Sequence, residues 1–303
     1  MREVMQLAGR NLKIYLRDKS AVFFSLLSAI IVIVLMLVFL GDMNIKTITS
    51  LLEEVGIQKT DETELNAELL VIMWTVGGIL CVNGVTVASM MTSVMINDAS
   101  CGKIQSFRTA PLSRIKLSLG YIISSWTASS FICVLTLAAA EIFAGVNGAE
   151  LPEVSEQFLL VGMIAVNCFT YSGIMYFAGL LIKTPGAWSG FSTLVGTLVG
   201  FLGGIYIPIG GLPEGVQTVL KCLPVLHGCS MFRSVLTKAS VEKTLAGVPA
   251  EIVEEYREVM GITTSFGDTE IGREIQLAIL AVCGIIFIVA GTLISRKRYN
   301  SDR

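Results

Sequence analysis

Apolar residues in this chain gather into long blocks separated by short charged segments. The first block, Ala21 to Leu40, contains no ionisable residue. Further blocks lie at about 69–96, 118–144, 158–182, 187–207 and 275–295. Each is long enough to cross a hydrocarbon core of about 30 Å, which takes about 20 helical residues. The pattern predicts an all-α, polytopic membrane protein with six transmembrane helices. The first block exceeds the roughly 7–15-residue apolar region of a signal peptide and lacks a small-residue cleavage site, so it is expected to persist as a helix.

Ahead of that block, residues 2–18 form an amphipathic helix when plotted at about 100° per residue. Arg2, Glu3, Gln6, Arg10, Lys13 and Arg17 share a narrow polar stripe, and Val4, Leu7, Ala8, Leu12, Ile14 and Tyr15 take the remaining surface. Such a helix lies along a membrane interface. It serves either as an electrostatic anchor to anionic lipid or as a docking element for a cytoplasmic partner.

The connection from Asn97 to Lys116 is long for a turn. It carries Gly102, Ile104, Phe107 and then Ala110-Pro111-Leu112-Ser113-Arg114, a pattern that fits a short helix ending before the proline. The plain alternative is an interfacial loop that only joins helices. In the fifth block Ser192, Gly196, Gly200 and Gly204 recur every four residues, a strip that lets another helix approach closely, within the chain or in a second copy.

Pro208-Ile209-Gly210-Gly211-Leu212-Pro213 then breaks the helix, and Val216 to Leu226 is apolar but too short to span. This stretch predicts a re-entrant or interfacial hairpin. Beyond it, Pro249, Glu251, Ile252, Tyr256 and Val259 predict a small helix ending near Gly261, and a second short helix is expected around Ile48 to Val55.

Composition agrees with a bilayer as solvent: 53% of the 303 residues are hydrophobic and only 15% charged, against roughly a quarter in soluble domains. Charge placement adds an orientation. The N-terminal segment, residues 97–117, Lys183 and the C-terminal tail hold 14 of the 22 Lys/Arg but only 4 of the 24 acids, Glu3, Asp18, Asp98 and Asp302. Lysine and arginine favour the cytoplasm, so both termini are expected there, with the chain in the inner or plasma membrane.

Little covalent chemistry is on offer. No GxxxxGK[ST] phosphate loop occurs, so ATP hydrolysis would have to come from another chain. His227 is the only histidine, and the seven cysteines show no metal-ligand spacing, so no metal site is expected. Cys222 and Cys229 are placed outside the membrane and are read as two thiols rather than as a bridge. Glu141 is the only carboxylate inside an expected span, about a turn from its outer end, where a side chain reaches the interface. Asn83 and Asn167 lie deeper, either bonding between helices or facing a substrate path.

Together these features resemble the permease subunits of the type-2 ABC transporter family, six-span exporters of drugs, antibiotic peptides and polysaccharides. The resemblance is carried by the N-terminal amphipathic helix, by Gly102 to Arg114 with its Ala110-Pro111-Leu112-Ser113-Arg114, and by the series Pro208, Leu212, Pro213, Pro224, Arg233. It implies that residues 2–18, with Arg10 and Arg17, and 98–114, with Asp98, Gly102, Ile104, Phe107, Pro111, Leu112 and Arg114, contact a separate ABC ATP-binding subunit. That subunit would hold ATP and magnesium, so this chain needs no cofactor of its own.

Residues 208–233 would shape an outer gate. A second permease, identical or homologous, would complete the pathway, lined by the first, second and fifth spans. Where the family often has a Glu-rich approach to the loop glycine, this chain has Asn97-Asp98-Ala99-Ser100-Cys101-Gly102. Nothing in the sequence points to nucleic acid as a partner. An intramembrane enzyme would need an embedded nucleophile and base, and no GxSxG or embedded histidine or aspartate is found. A membrane scaffold or sensor that moves nothing is the other competing class.

Overall fold

One 40-residue helix organises the protein. The computed structural model describes residues 1–20, 22, 23, 27, 41–57, 60–103, 113–148, 150–267 and 269–301. In chain order its helices are α1 (Arg2–Arg17), α2 (Gly41–Glu54), α3 (Asp61–Ser100), α4 (Arg114–Val146), α5 (Val154–Leu181), α6 (Pro185–Leu202), α7 (Glu214–Lys221), α8 (Pro224–Leu236), α9 (Lys238–Thr244), α10 (Ala250–Val259) and α11 (Arg273–Ser301). A 3-10 turn occupies Ile209–Gly211. A two-stranded antiparallel ribbon pairs β1 (Ser265–Phe266) with β2 (Thr269–Glu270).

The long helix, α3, starts at a reciprocal cap. Thr60 Oγ1 accepts the Thr63 N–H at 3.2 Å, and Thr63 Oγ1 accepts the Thr60 N–H at 2.9 Å, which satisfies two backbone donors that a helix start leaves open. At about 1.5 Å per residue it is roughly 60 Å long, twice a hydrocarbon core, so both ends project beyond an apolar slab. Protein covers 89% of its most apolar stretch, against 17% for α11. The first is therefore the hub and the second the rim. Around α3 pack α4, α5, α6 and α8, while α11 lies against α5.

Among the described residues four buried apolar clusters result, two of them large. The larger runs through the bundle, from Leu7 and Leu117 to Leu160, Cys168 and Phe232. A second caps the far end of α3, where α2, α9 and α10 bury Ile48, Leu52, Val241 and Tyr256 around Leu70 and Trp74. The short helices expected near Ile48 and after Pro249 are α2 and α10, and they form this cap rather than isolated surface pieces.

Among the described residues four helices, α3, α4, α5 and α11, are long and apolar enough to cross a membrane, and a fifth crossing is available if the pair α7 and α8, bent by 86°, counts as one. The first expected span, 21–40, lies almost wholly outside the described residues. The fifth, expected at 187–207, is α6. It has 18 residues but ends at Leu202, because Gly203 and Gly204 turn the chain, Gly204 at φ +61°. Its Gly, Ser and Thr content keeps it out of the group of four. Prolines start most of the later elements: Pro185 and Pro224 are the first residues of α6 and α8, while Pro208, Pro213 and Pro249 immediately precede the 3-10 turn, α7 and α10. A proline fits there because its missing N–H would have no helical partner.

Packing also explains one glycine. A Cβ at Gly120 of α4 would sit 2.4 Å from Leu7 Cδ2 and 2.8 Å from Leu7 Cγ. Its absence lets α1 lie flat on α4. We expect Gly120→Val to cost about 1–3 kcal/mol by overpacking and to lift α1. Thermal unfolding in detergent, together with faster tryptic cleavage at Arg10 and Lys13, checks this.

Candidate functional site

The N-terminal end of the bundle is built on α1, whose three faces meet three surroundings. Val4, Leu7, Ala8, Asn11 and Tyr15 are buried against the bundle. Met5 and Leu16 are exposed apolar side chains on another face, and Arg2, Gln6, Lys13 and Arg17 are exposed along the polar stripe. An interfacial helix needs this division: one face for protein, one for acyl chains, one for water.

Arg10 departs from its stripe. Its guanidinium turns inward and grips Asp98 with both nitrogens, Nη1 to Oδ2 at 2.6 Å and Nη2 to Oδ1 at 2.9 Å. Asp98 is 2% exposed and lies in the last turn of α3. Tyr121 of α4 donates to the same Oδ2 at 2.9 Å, and Lys103 stands 3.8 Å from Oδ1. Asn11, fully buried, donates to Ser124 of α4 at 3.3 Å and accepts from Arg10 Nη1 at 3.0 Å. A planar fork matched to a carboxylate fixes direction as well as distance. The hydrogen bond to Asp98 holds the Arg10 pKa above its ordinary value. α1, α3 and α4 are thus locked at one point.

At the edge of α1, Lys116 of α4 donates to Glu3 at 2.7 Å. That hydrogen bond, then the Lys116 charge, holds the Glu3 pKa below its ordinary value. A lowered carboxyl contributes stability above its unfolded value and loses it as pH falls through the folded one. The pair is solvent-exposed, so the gain is small.

Past Asp98 the chain leaves α3 by a left-handed step. Gly102 has φ +72°, where a Cβ would be strained, and its N–H bonds Ala99 O at 3.2 Å. The expected connection from 97 therefore begins only at Cys101, and Asp98 belongs to the helix. Its carboxylate is buried and reaches the surface through Arg10. Ile104, Phe107, Pro111 and Leu112 lie outside the described residues. Ser113 caps α4 by accepting the Lys116 N–H at 3.4 Å, and Arg114 is the first residue of that helix.

The opposite end of the bundle is centred on Arg233 of α8, which is fully buried. Its guanidinium stacks over Trp74 at 4.1 Å, and it donates to the carbonyls of Trp74 at 3.4 Å, Gly204 at 3.1 Å and Met260 at 3.5 Å. Trp74 Nε1 donates to the Met260 carbonyl as well, at 2.7 Å. No carboxylate lies within 4 Å of Arg233 among the described residues. Gly77 makes the approach possible, since a Cβ there would meet Arg233 Cγ at 2.9 Å. One cation thus ties α3, the end of α6, α8 and the end of α10. Of its neighbours in the late series, Leu212 follows the 3-10 turn and packs with Ile209, Leu220 and Leu226.

The remaining expected residues divide. Ser192 bonds Ser89 at 2.8 Å and Gly200 faces Tyr206, so these two positions pack within the chain. Gly196 has open space beside it. It lines a groove of 460 Å³ between α3 and α6, with Thr86, Ser89, Ser93, Asn97, Ser189 and Thr193. Asn83 donates to Thr136 of α4 at 3.0 Å. Asn167 accepts from Cys81 of α3 at 3.8 Å, and Glu141 accepts from Gln157 of α5 at 2.8 Å. None of these three lines the groove. Cys222 and Cys229 are both free thiols, the second buried.

Sequence reasoning missed Tyr121, Asn11 and Trp74. A signal for Asn11 existed: it interrupts the apolar side of α1, where a buried amide needs a partner. Residues 44–293 match the family model described as ABC-2 family transporter protein. The comparison with curated proteins finds no match.

Proposed function

Because the chain belongs to the ABC-2 family of transporter proteins, the membrane permeases of ABC transporters, we propose that it is the membrane-spanning subunit of an ATP-driven exporter whose ATPase is a separate chain. The observation that carries this reading is the lock of Arg10, Asp98 and Tyr121. It joins an interfacial helix to both helices that flank the connection at 101–113. A push delivered there moves α3 and α4 as one body, because close-packed elements joined by charged hydrogen bonds transmit displacement rather than absorb it.

In this reading the polar stripe of α1, with Arg17, and the segment bearing Ile104, Phe107, Pro111 and Leu112 face the ATP-binding subunit in the cytoplasm. ATP and magnesium reside there, and this chain performs no covalent step. The chain crosses the cell membrane six times with both termini inside, and α7 with α8 forms a re-entrant hairpin held by Arg233. The groove between α3 and α6, which mixes hydroxyls with apolar side chains, is one wall of the path. It suits an amphipathic cargo such as a drug, peptide, lipid or glycan carrier, moved outward. A second permease supplies the facing wall.

The test is a mild-detergent purification of the tagged chain with mass spectrometry of what accompanies it. A P-loop ATPase that copurifies with the wild type and is lost with Pro111→Ala/Leu112→Asp is the expected result. A folded wild-type chain without an ATPase overturns the reading.

A further inference from the structure

The groove between α3 and α6 has a chemistry that narrows its ligand. At 460 Å³ it falls within the about 300–1,000 Å³ usual for small-molecule sites, and none of its lining side chains among the described residues is ionisable. Met90, Ile96, Pro185, Trp188 and Val195 supply apolar surface. The charges nearest in sequence add nothing for a ligand to pair with. Asp98 is held by Arg10 and Tyr121, and the exposed Lys183 repels a second cation.

The polar atoms of the wall are mostly acceptors. Thr86, Ser93 and Thr193 each direct the hydroxyl hydrogen to a carbonyl of their own helix, that of Asn83 at 3.4 Å, Met90 at 2.6 Å and Ser189 at 3.0 Å. Such back-bonding leaves the oxygen lone pairs to a ligand. Ser89 and Ser192 bond each other at 2.8 Å, which takes up one of their two hydrogens, and the Trp188 indole N–H goes to the Ser89 carbonyl at 3.2 Å. Asn97 and Ser189 can donate or accept. An anionic headgroup, which only accepts, meets lone pairs and no cation, and a cationic one finds no free carboxylate. Burying either charge without a partner is costly. We infer that the groove binds an amphiphile whose headgroup is uncharged and donates hydrogen bonds through hydroxyl or amide groups. The inference rests on the reading of this groove as a wall of the cargo path, and it narrows that cargo.

The experiment uses the full chain in phosphatidylcholine nanodiscs and four amphiphiles with the same octyl tail, with native mass spectrometry as the measure of binding. Octyl glucoside is uncharged and rich in donors, tetraethylene glycol monooctyl ether is uncharged and almost wholly an acceptor, octyl sulfate is an anion and octylammonium a cation. We expect the glucoside to bind about tenfold more tightly than the ether or the sulfate, a factor equal to about 1.4 kcal/mol and to the net worth of one or two hydrogen bonds. Ser93→Ala/Thr193→Ala lowers the glucoside to the level of the ether. Gly196→Leu abolishes its binding. A Cβ at Gly196 meets nothing within 4 Å, so the leucine enters the groove without displacing a neighbour and the chain stays folded.

Equal binding of glucoside and ether overturns the inference, as does tighter binding of octyl sulfate or octylammonium. A glucoside preference that survives either variant overturns it too, because the bound molecule then lies elsewhere. Copurification of an ATPase separates the two levels. A chain that recruits an ATPase but shows no such preference defeats only the ligand class. The preference in a chain that recruits none defeats the transport reading and leaves the groove a binding site.

Discussion

Arg10→Ala leaves a chain that still inserts into the membrane but no longer moves cargo. Removing the guanidinium strips Asp98, 2% exposed, of both its short N–H donors, and leaves it the Tyr121 hydroxyl and Lys103 at 3.8 Å. Breaking a buried ion pair by deleting one partner costs about 3–5 kcal/mol. Arg10 is itself 31% exposed, so water can reach the pair, which places this case near about 3 kcal/mol. The loss falls on the docking of α1 rather than on the bundle, because the apolar core of α3, α4 and α5 does not include Arg10.

Two measurements check it. Thermal unfolding in detergent reports the stability change, and ATP-driven uptake into inverted vesicles reports coupling. Arg10→Lys recovers only part, since an ammonium is a point charge and cannot pair both carboxylate oxygens in a fixed plane. A double-mutant cycle with Asp98→Asn should give a coupling energy of about 1–3 kcal/mol. Additive single effects would show that the two side chains do not work together, and would remove the lock from the mechanism.

Arg233→Ala is the second large effect, on the order of 3 kcal/mol or more. The substitution opens a cavity of arginine size and leaves the buried Gly204 carbonyl without this donor, worth about 1–3 kcal/mol, whereas the Trp74 carbonyl keeps its intrahelical partner in α3. It also removes the stacking on Trp74, about 2 kcal/mol when desolvated. Met260 keeps the Trp74 indole N–H, so part of the cap survives. We expect α10 and the 3-10 turn to loosen first, because Arg233 bonds the carbonyls of Gly204 and Met260 that flank them. Hydrogen exchange across 204–212 and 250–262 reads that directly, and exchange confined elsewhere would contradict it. Arg233→Lys does not rescue, as one ammonium cannot serve three carbonyls on different helices while stacking on a ring.

These two arginines show how far the sequence could be read. Both were singled out, Arg10 as part of an exposed docking stripe and Arg233 as the end of a proline series. The first assignment follows from periodicity, which sorts residues by face but says nothing of how a long side chain bends from its face towards a neighbour. Asp98 was placed on a loop because the apolar run stops at Ile96. The helix continues to Ser100, since the Asp98 carboxylate is paired there and needs no water.

The helices themselves were legible. Hydrophobic runs, prolines at helix starts and the amphipathic pattern before the first block are local properties, and α1 and α10 lie close to their expected places, whereas α2 and α3 start well before theirs, at Gly41 rather than near 48 and at Asp61 rather than near 69. All-helical architecture and a bilayer-dependent fold follow from the length and purity of those runs, because an unpaired backbone amide in hydrocarbon is too costly for any other open arrangement. What only the tertiary structure decided is which polar groups meet. Arg10 and Asp98 are 88 positions apart, Arg233 and Trp74 159, and no local pattern encodes such a pairing. It depends on where helices cross, and the crossings depend on glycines such as Gly77 and Gly120 that admit a neighbouring side chain at contact distance.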